Sequence, residues 1–160
     1  PVTSWTMKNS NGRLFLKSFL YAGRGIACCI RQRNMRFHLS AAVLTTAFSL
    51  AYGLTAAEYG LLFLTIGVIL ALEAVNTALE TLVDLVSPDY HPLAGAVKDI
   101  AAGAVLLGAV AAVAVGFALF FHFPKLTDTL LLILTSWRLA VFLALIFAGH
   151  LFTFHYPEKK

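Results

Sequence analysis

The chain is patterned in long apolar runs interrupted at a few places by charge. Leu39 to Ala57 carries no formal charge and is long enough to cross a bilayer as a helix. A second apolar run begins at Tyr59 and continues to Leu72, where Glu73 opens a series of polar positions. Ile100 to Pro124 is uncharged throughout, the clearest span in the sequence. Leu139 to Pro157 is a fourth such run, with Arg138 at its start. Ahead of them, Arg13 to Arg36 mixes Leu14, Phe15, Phe19, Leu20 and Ile26 with Lys17, Arg24, Arg31 and Arg33. That mixture suits a helix lying in the membrane interface, cations toward headgroups and apolar side toward acyl chains. The pattern predicts an all-α integral membrane protein: an amphipathic N-terminal surface helix followed by four membrane helices.

Composition agrees. Of 160 residues, 59% are hydrophobic and 12% are charged, and mean hydropathy is +0.81. Soluble domains carry about 25% charged residues, so disorder, a secreted disulfide scaffold and a typical cytosolic enzyme are all excluded. Seven of the 12 Lys and Arg residues precede residue 37, and the first acid is Glu58. Such a basic patch fits anionic headgroups or phosphates; in a membrane-embedded chain nucleic acid is not the expected partner. Basic segments stay on the cytoplasmic side. Counting spans then places Gly53–Glu58 outside, Asp84–Asp99 inside, His122–Lys125 outside and the Lys159–Lys160 tail inside. Cys28 and Cys29 are adjacent and lack metal-site spacing. Residues 1–12 read as a leader, with Met7 a candidate start, and Ser87 to Pro92 is the main helix break.

The acids are the anomaly. Glu73, Asn76, Glu80 and Asp84 follow at offsets of three, four and four, which keeps them near one helical face with Thr77 beside them. An acid at the centre of a membrane helix costs about 2.5–3.5 kcal/mol on insertion scales. A polar seam between helices is the plain explanation for one Asn; two Glu, an Asn and an Asp in register favour chemistry. One carboxylate can bind a divalent cation as a hard oxygen ligand while another accepts a proton from a hydroxyl. Across the break, Lys98 can meet phosphate oxygens and Asp99 can orient a metal-bound nucleotide. Together they describe phosphoryl transfer at the cytoplasmic membrane surface, where positioning and charge neutralisation do most of the catalysis. No P-loop, kinase-type glycine loop or nucleophile elbow is present. A proton- or ion-coupled transporter would use the intramembrane acids but leaves Lys98, Asp99 and the basic helix unexplained.

The run from Glu73 through Asn76 and Glu80 to Asp84, then Asp89 to Pro92, then Val97, Lys98 and Asp99, closely resembles the bacterial diacylglycerol kinase/undecaprenol kinase family. Lys17 to Gly25 and Arg33 to His38 resemble its Gram-positive branch. The resemblance covers roughly residues 13 to 122. It implies a homotrimer with three membrane helices and one surface helix per subunit, and active sites between subunits that use ATP with Mg2+. By this resemblance Glu73 is the general base for the lipid hydroxyl, Asn76 orients reacting groups and Glu80 is the Mg2+ ligand. Asp89, Tyr90, His91, Lys98 and Asp99 match the nucleotide-contacting stretch, Tyr21 matches a nucleotide contact from the surface helix, and Arg13 is a weaker match for another. The family's second metal ligand, a Glu just before the Arg-Asn motif, is missing: Ile30, Arg31 and Gln32 precede Arg33 and Asn34, one residue short.

The resulting expectation is a lipid kinase domain over 13–124 with an additional hydrophobic segment over 125–160. It sits in the bacterial plasma membrane, multi-pass, with its active site facing the cytoplasm. The expected reaction is ATP-dependent phosphorylation of undecaprenol. Diacylglycerol is the alternative substrate, and a non-catalytic membrane scaffold is the alternative role.

Overall fold

A computed structural model of the chain describes residues 11–89 and 91–156; the first ten positions, Tyr90 and the last four residues lie outside the described part. Six helices follow one another: α1 (Asn11–Ile30), α2 (Arg33–Tyr52), α3 (Ala56–Val86), α4 (Pro92–Phe120), α5 (Lys125–Leu134) and α6 (Arg138–Phe154). Among the described residues there is no strand.

The ends of these helices are written in local chemistry. Gly53 ends α2 in the left-handed region, φ 74°, where its N–H donates to the Ser49 carbonyl. Two residues later Thr55 opens α3 with a capping box: Glu58 N–H donates to Thr55 Oγ1, and Thr55 N–H donates to Glu58 Oε2 at 2.7 Å. At the other end, Ser87 and Pro88 stop α3, and His91 with Pro92 starts α4.

The long helices α3 and α4 pack against each other as an antiparallel pair. Gly108 permits the approach, since a Cβ there would come 2.6 Å from a Leu72 methyl. On α3's other flank α2 packs, and α6 packs against α2. Lys125, at the start of α5, donates to the Gly53 carbonyl at 2.8 Å and lies over the Tyr52 ring. This pins the C-terminal segment to the α2–α3 turn. An apolar cavity of about 390 Å3 lies among α2, α3 and α4, lined by Ala41, Leu62, Ile69, Leu70, Ala112 and Phe120.

Two helices, α3 and α4, are each long and apolar enough to cross a membrane; α5 and α6 qualify together only as a bent pair. This revises the expected four spans at three points. The run Leu39–Ala57 is not one helix: Gly53 breaks it, and its last residues already belong to α3. Helix α2 falls short on apolarity by itself because it carries Arg33, Arg36, His38, Ser40 and Ser49. Several of these are absorbed by protein, with Arg36 and Ser49 almost fully buried. The fourth run starts inside α6, which at 17 residues does not qualify as a span alone and meets α5 at 86° across Thr135–Trp137.

The N-terminal helix differs too. It does not run through to Arg36 but stops at Ile30, and Arg31 and Gln32 form an elbow whose N–H groups close onto the Cys28 and Cys29 carbonyls. His38, at the end of the motif that starts at Arg33, lies in the second turn of α2. Helix α1 begins at Asn11, inside the expected leader, and leaves Phe15, Leu16, Phe19, Leu20 and Ile26 more than 60% exposed.

Candidate active site

At 31 residues, α3 is about 46 Å long, roughly 15 Å more than a hydrocarbon core. About 20 residues suffice to cross that core, fewer than α3 has, and the acid series lies in the C-terminal half of the helix.

Here α3 faces the start of α2 and the elbow. Gln32, Arg33 and Asn34 on one side and Glu73, Thr77 and Glu80 on the other enclose a polar cavity of about 290 Å3. Glu73 is 2% exposed, Asn76 4% and Thr77 5%, while Glu80 is half-buried. Asn76 Nδ2 donates to Glu80 Oε1 at 3.1 Å, one turn along the helix. Its other amide atom, Oδ1, is buried with no hydrogen-bond partner. Glu73 makes no hydrogen bond among the described residues. Buried polar groups are normally paired, and an exception points to a role beyond packing.

Electrostatically the cavity combines two carboxylates with the Arg33 cation. Cys29 borders the same region: burial pushes its thiol up, and Cys28 and the Glu73 carboxylate push the same way. A thiol held protonated is a poor nucleophile, which agrees with the plain reading of the cysteine pair.

The remaining predicted residues do not join this cavity. Asp84, Asp89, His91 and Lys98 line a second cavity of about 220 Å3 at the α3–α4 turn. Lys98 Nζ forms an ion pair with Asp84 Oδ1, so the lysine expected to meet phosphate is here held by an α3 acid. His91 Nδ1 accepts the Leu93 N–H at 3.2 Å and caps α4. Asp99 is exposed. Tyr21 is 61% exposed on α1, with the Arg24 guanidinium 5.9 Å from its ring, and lines neither cavity. Tyr90 lies outside the described residues.

The residues least legible in advance are those of the elbow. Gln32 marked only a missing acid, and Arg33 and Asn34 marked only a motif, yet all three form the wall opposite Glu73 and Glu80. Arg36 looked like one more cation of a surface helix but is 1% exposed. Its signal was its register, three residues after Arg33 and one turn into an apolar helix.

The described residues hold no group of three or more His, Cys, Asp or Glu arranged for a metal. The cavity lining nevertheless holds two carboxylates, Glu73 and Glu80, as hard oxygen donors. That suits Mg2+, which takes one or two carboxylates and fills its remaining positions with water and substrate phosphate.

Comparisons with known proteins point the same way. Residues 20–120 match the family model described as prokaryotic diacylglycerol kinase. The chain is 44% identical over 113 residues to an undecaprenol kinase of Bacillus subtilis, covering 70% of this chain and 90% of that protein. It is 49% identical over 104 residues to a diacylglycerol kinase of Synechocystis sp., covering 63% of this chain and 59% of that protein. A diacylglycerol kinase of Helicobacter pylori is 30% identical over 99 residues, 61% of this chain and 77% of that protein. No solved structure matches the chain.

Proposed function

The chain belongs to the prokaryotic diacylglycerol kinase family, and from that premise we propose that it is an ATP-dependent lipid kinase whose substrate is undecaprenol. The observation that carries this reading is Glu73: a buried carboxyl on an apolar helix, without a hydrogen bond among the described residues, lining a polar cavity beside Glu80 and Arg33.

In this mechanism the Glu73 carboxylate accepts the proton of the lipid hydroxyl as its oxygen attacks the γ-phosphorus of ATP. A P–O bond to the lipid forms, the bond to the β-phosphate oxygen breaks, and ADP departs. Asn76 holds Glu80 in place through its amide and offers Oδ1 to the reacting groups. Arg33 supplies positive charge opposite the acids, where phosphate oxygens accumulate negative charge. Glu80, with Asn76 Oδ1, would hold Mg2+, which when bound neutralises phosphate charge. Tyr21, Asp89, Tyr90, His91, Lys98 and Asp99 make up the nucleotide side of the site, a role supported by their match to the family motifs. The apolar cavity among α2, α3 and α4 ends at Ile69 and Leu70, one turn from Glu73. It gives a lipid tail a path to a hydroxyl presented to Glu73.

The protein works as a homotrimer in the bacterial plasma membrane, with the basic α1 and the site at the cytoplasmic surface. The positive-inside bias and the exposed apolar face of α1 support that placement. Undecaprenol is favoured because the Bacillus subtilis relative, covered over 90% of its length, bears that name. Diacylglycerol is the second reading, favoured by the other named relatives. The test is phosphorylation by purified protein reconstituted in lipid, with labelled ATP and each alcohol in turn. Faster turnover of undecaprenol is expected; faster turnover of diacylglycerol reverses the substrate, and turnover of neither overturns the kinase reading.

A further inference from the structure

The region matching the family model ends at residue 120, and the α5–α6 segment lies beyond it. Its C-terminal end is anchored near the site. Arg36 Nε and Nη2 both donate to the Thr153 carbonyl in the last turn of α6, at 3.3 and 3.1 Å. Carbonyls in that turn lack intrahelical partners, and the helix end is negative, so a guanidinium there is doubly favoured. The same guanidinium donates through Nη1 to the Arg31 carbonyl of the elbow, and the Arg36 N–H donates to the Gln32 carbonyl. One buried side chain thus ties the end of α6 to the Arg31 carbonyl, and the backbone of the same residue bonds Gln32.

A second set of contacts holds α6 against α2 next to that link. Ser40 Oγ lies 3.3 Å from Thr153 Oγ1 and donates to the Gly149 carbonyl at 3.4 Å. Gly149 has no room to spare, since a Cβ there would meet Ser40 at 3.2 Å. The Tyr156 ring lies 5.5 Å from the Arg36 guanidinium.

We propose that α6 acts as a positioning element for the active site, holding through Arg36 the elbow that carries Gln32, Arg33 and Asn34 against Glu73 and Glu80. This rests on the kinase reading of the cavity. Arg36 is here a positioning residue: its guanidinium donates to the main-chain carbonyls of Thr153 and Arg31, while the elbow it holds forms the cavity wall. Arg33 is three residues from it, so displacement of the elbow moves the one cation facing the two acids. A lysine at position 36 keeps the charge but cannot fork to two carbonyls.

Two variants perturb this link without altering a cavity residue. Gly149→Leu wedges α6 away from Ser40, and Arg36→Lys removes the fork. In reconstituted protein both should raise KM for MgATP about tenfold, below the roughly hundredfold that a 1 Å misplacement can cost, with a smaller change in KM for the lipid alcohol. A purely structural role would lower kcat through loss of folded protein and leave both KM values unchanged, which would overturn the proposal.

An activity-independent readout accompanies this. A spin label at Gln32→Cys, in a background with Cys28 and Cys29 changed to Ser, should become more mobile when Gly149→Leu is added. An unchanged spectrum overturns the proposal whatever the kinetics. A mobilised label in a protein whose unmodified form phosphorylates neither alcohol leaves the positioning role standing and refutes the kinase reading instead.

Discussion

Arg36 on α2 and Glu73 on α3 are both ionisable and both nearly inaccessible, at 1% and 2% exposed. Their surroundings differ completely. Arg36 donates to the Thr153 and Arg31 carbonyls. Glu73 has no hydrogen bond among the described residues, and beside it Asn76 Oδ1 is unpartnered. A buried ion is tolerated when geometry satisfies it; one left open is costly and is kept where something else completes it. The first charge is satisfied within the fold, and the second lines a polar cavity.

The hardest test of this contrast is Glu73→Gln. If the carboxyl accepts the lipid proton, turnover should fall about 100- to 10,000-fold, the range a general base contributes, while MgATP binding and Tm are retained. Steady-state phosphorylation and nucleotide titration of one preparation check both halves. Substantial residual turnover would place Glu73 with Arg36, as a buried charge of structural use only.

Glu80→Gln should act more narrowly. Glu80 accepts from Asn76 and borders the cavity half-buried, which suits a ligand better than a base. Loss of its charge should move the Mg2+ concentration for half-maximal activity up about tenfold or more, since affinity for hard cations follows the charge count of the ligands. The measurement is activity against free Mg2+ at saturating ATP. An unchanged curve removes Glu80 from the metal set and leaves Asn76 Oδ1 without a cation to meet.

What could be read in advance follows the same division. Glu73, Asn76 and Glu80 were visible because the helical repeat alone puts them on one face, and acids inside an apolar run are expensive enough to be conspicuous. The α3–α4 break was visible because Pro88 and Pro92 leave few alternatives. The elbow was not, because Arg31 and Gln32 carry no proline or glycine, and the guanidinium that meets the Arg31 carbonyl also reaches Thr153, far along the chain. Nor was the 86° bend at Thr135–Trp137, which interrupts a run that hydropathy reads as nearly continuous. The Lys98–Asp84 pair joins two helices across a turn, and no local spacing rule reaches that far. Contacts within a helix were legible, and contacts that the tertiary packing supplies were not.

The smallest expected effect lies at the α3–α4 turn, where His91 can be a cap, a nucleotide contact or both. Its Nδ1 accepts the Leu93 N–H at the start of α4. Loss of an N-cap acceptor costs about 1 kcal/mol, so His91→Ala should lower stability by about that amount in reversible unfolding from mixed micelles. His91→Asn restores a capping oxygen and should recover the loss. If KM for MgATP rises in both variants, His91 touches the nucleotide as well as the helix, and the turn belongs with Glu73 among groups that something outside the chain completes. If Asn restores stability and KM together, His91 is a framework residue like Arg36, and the nucleotide side of the site rests on its neighbours.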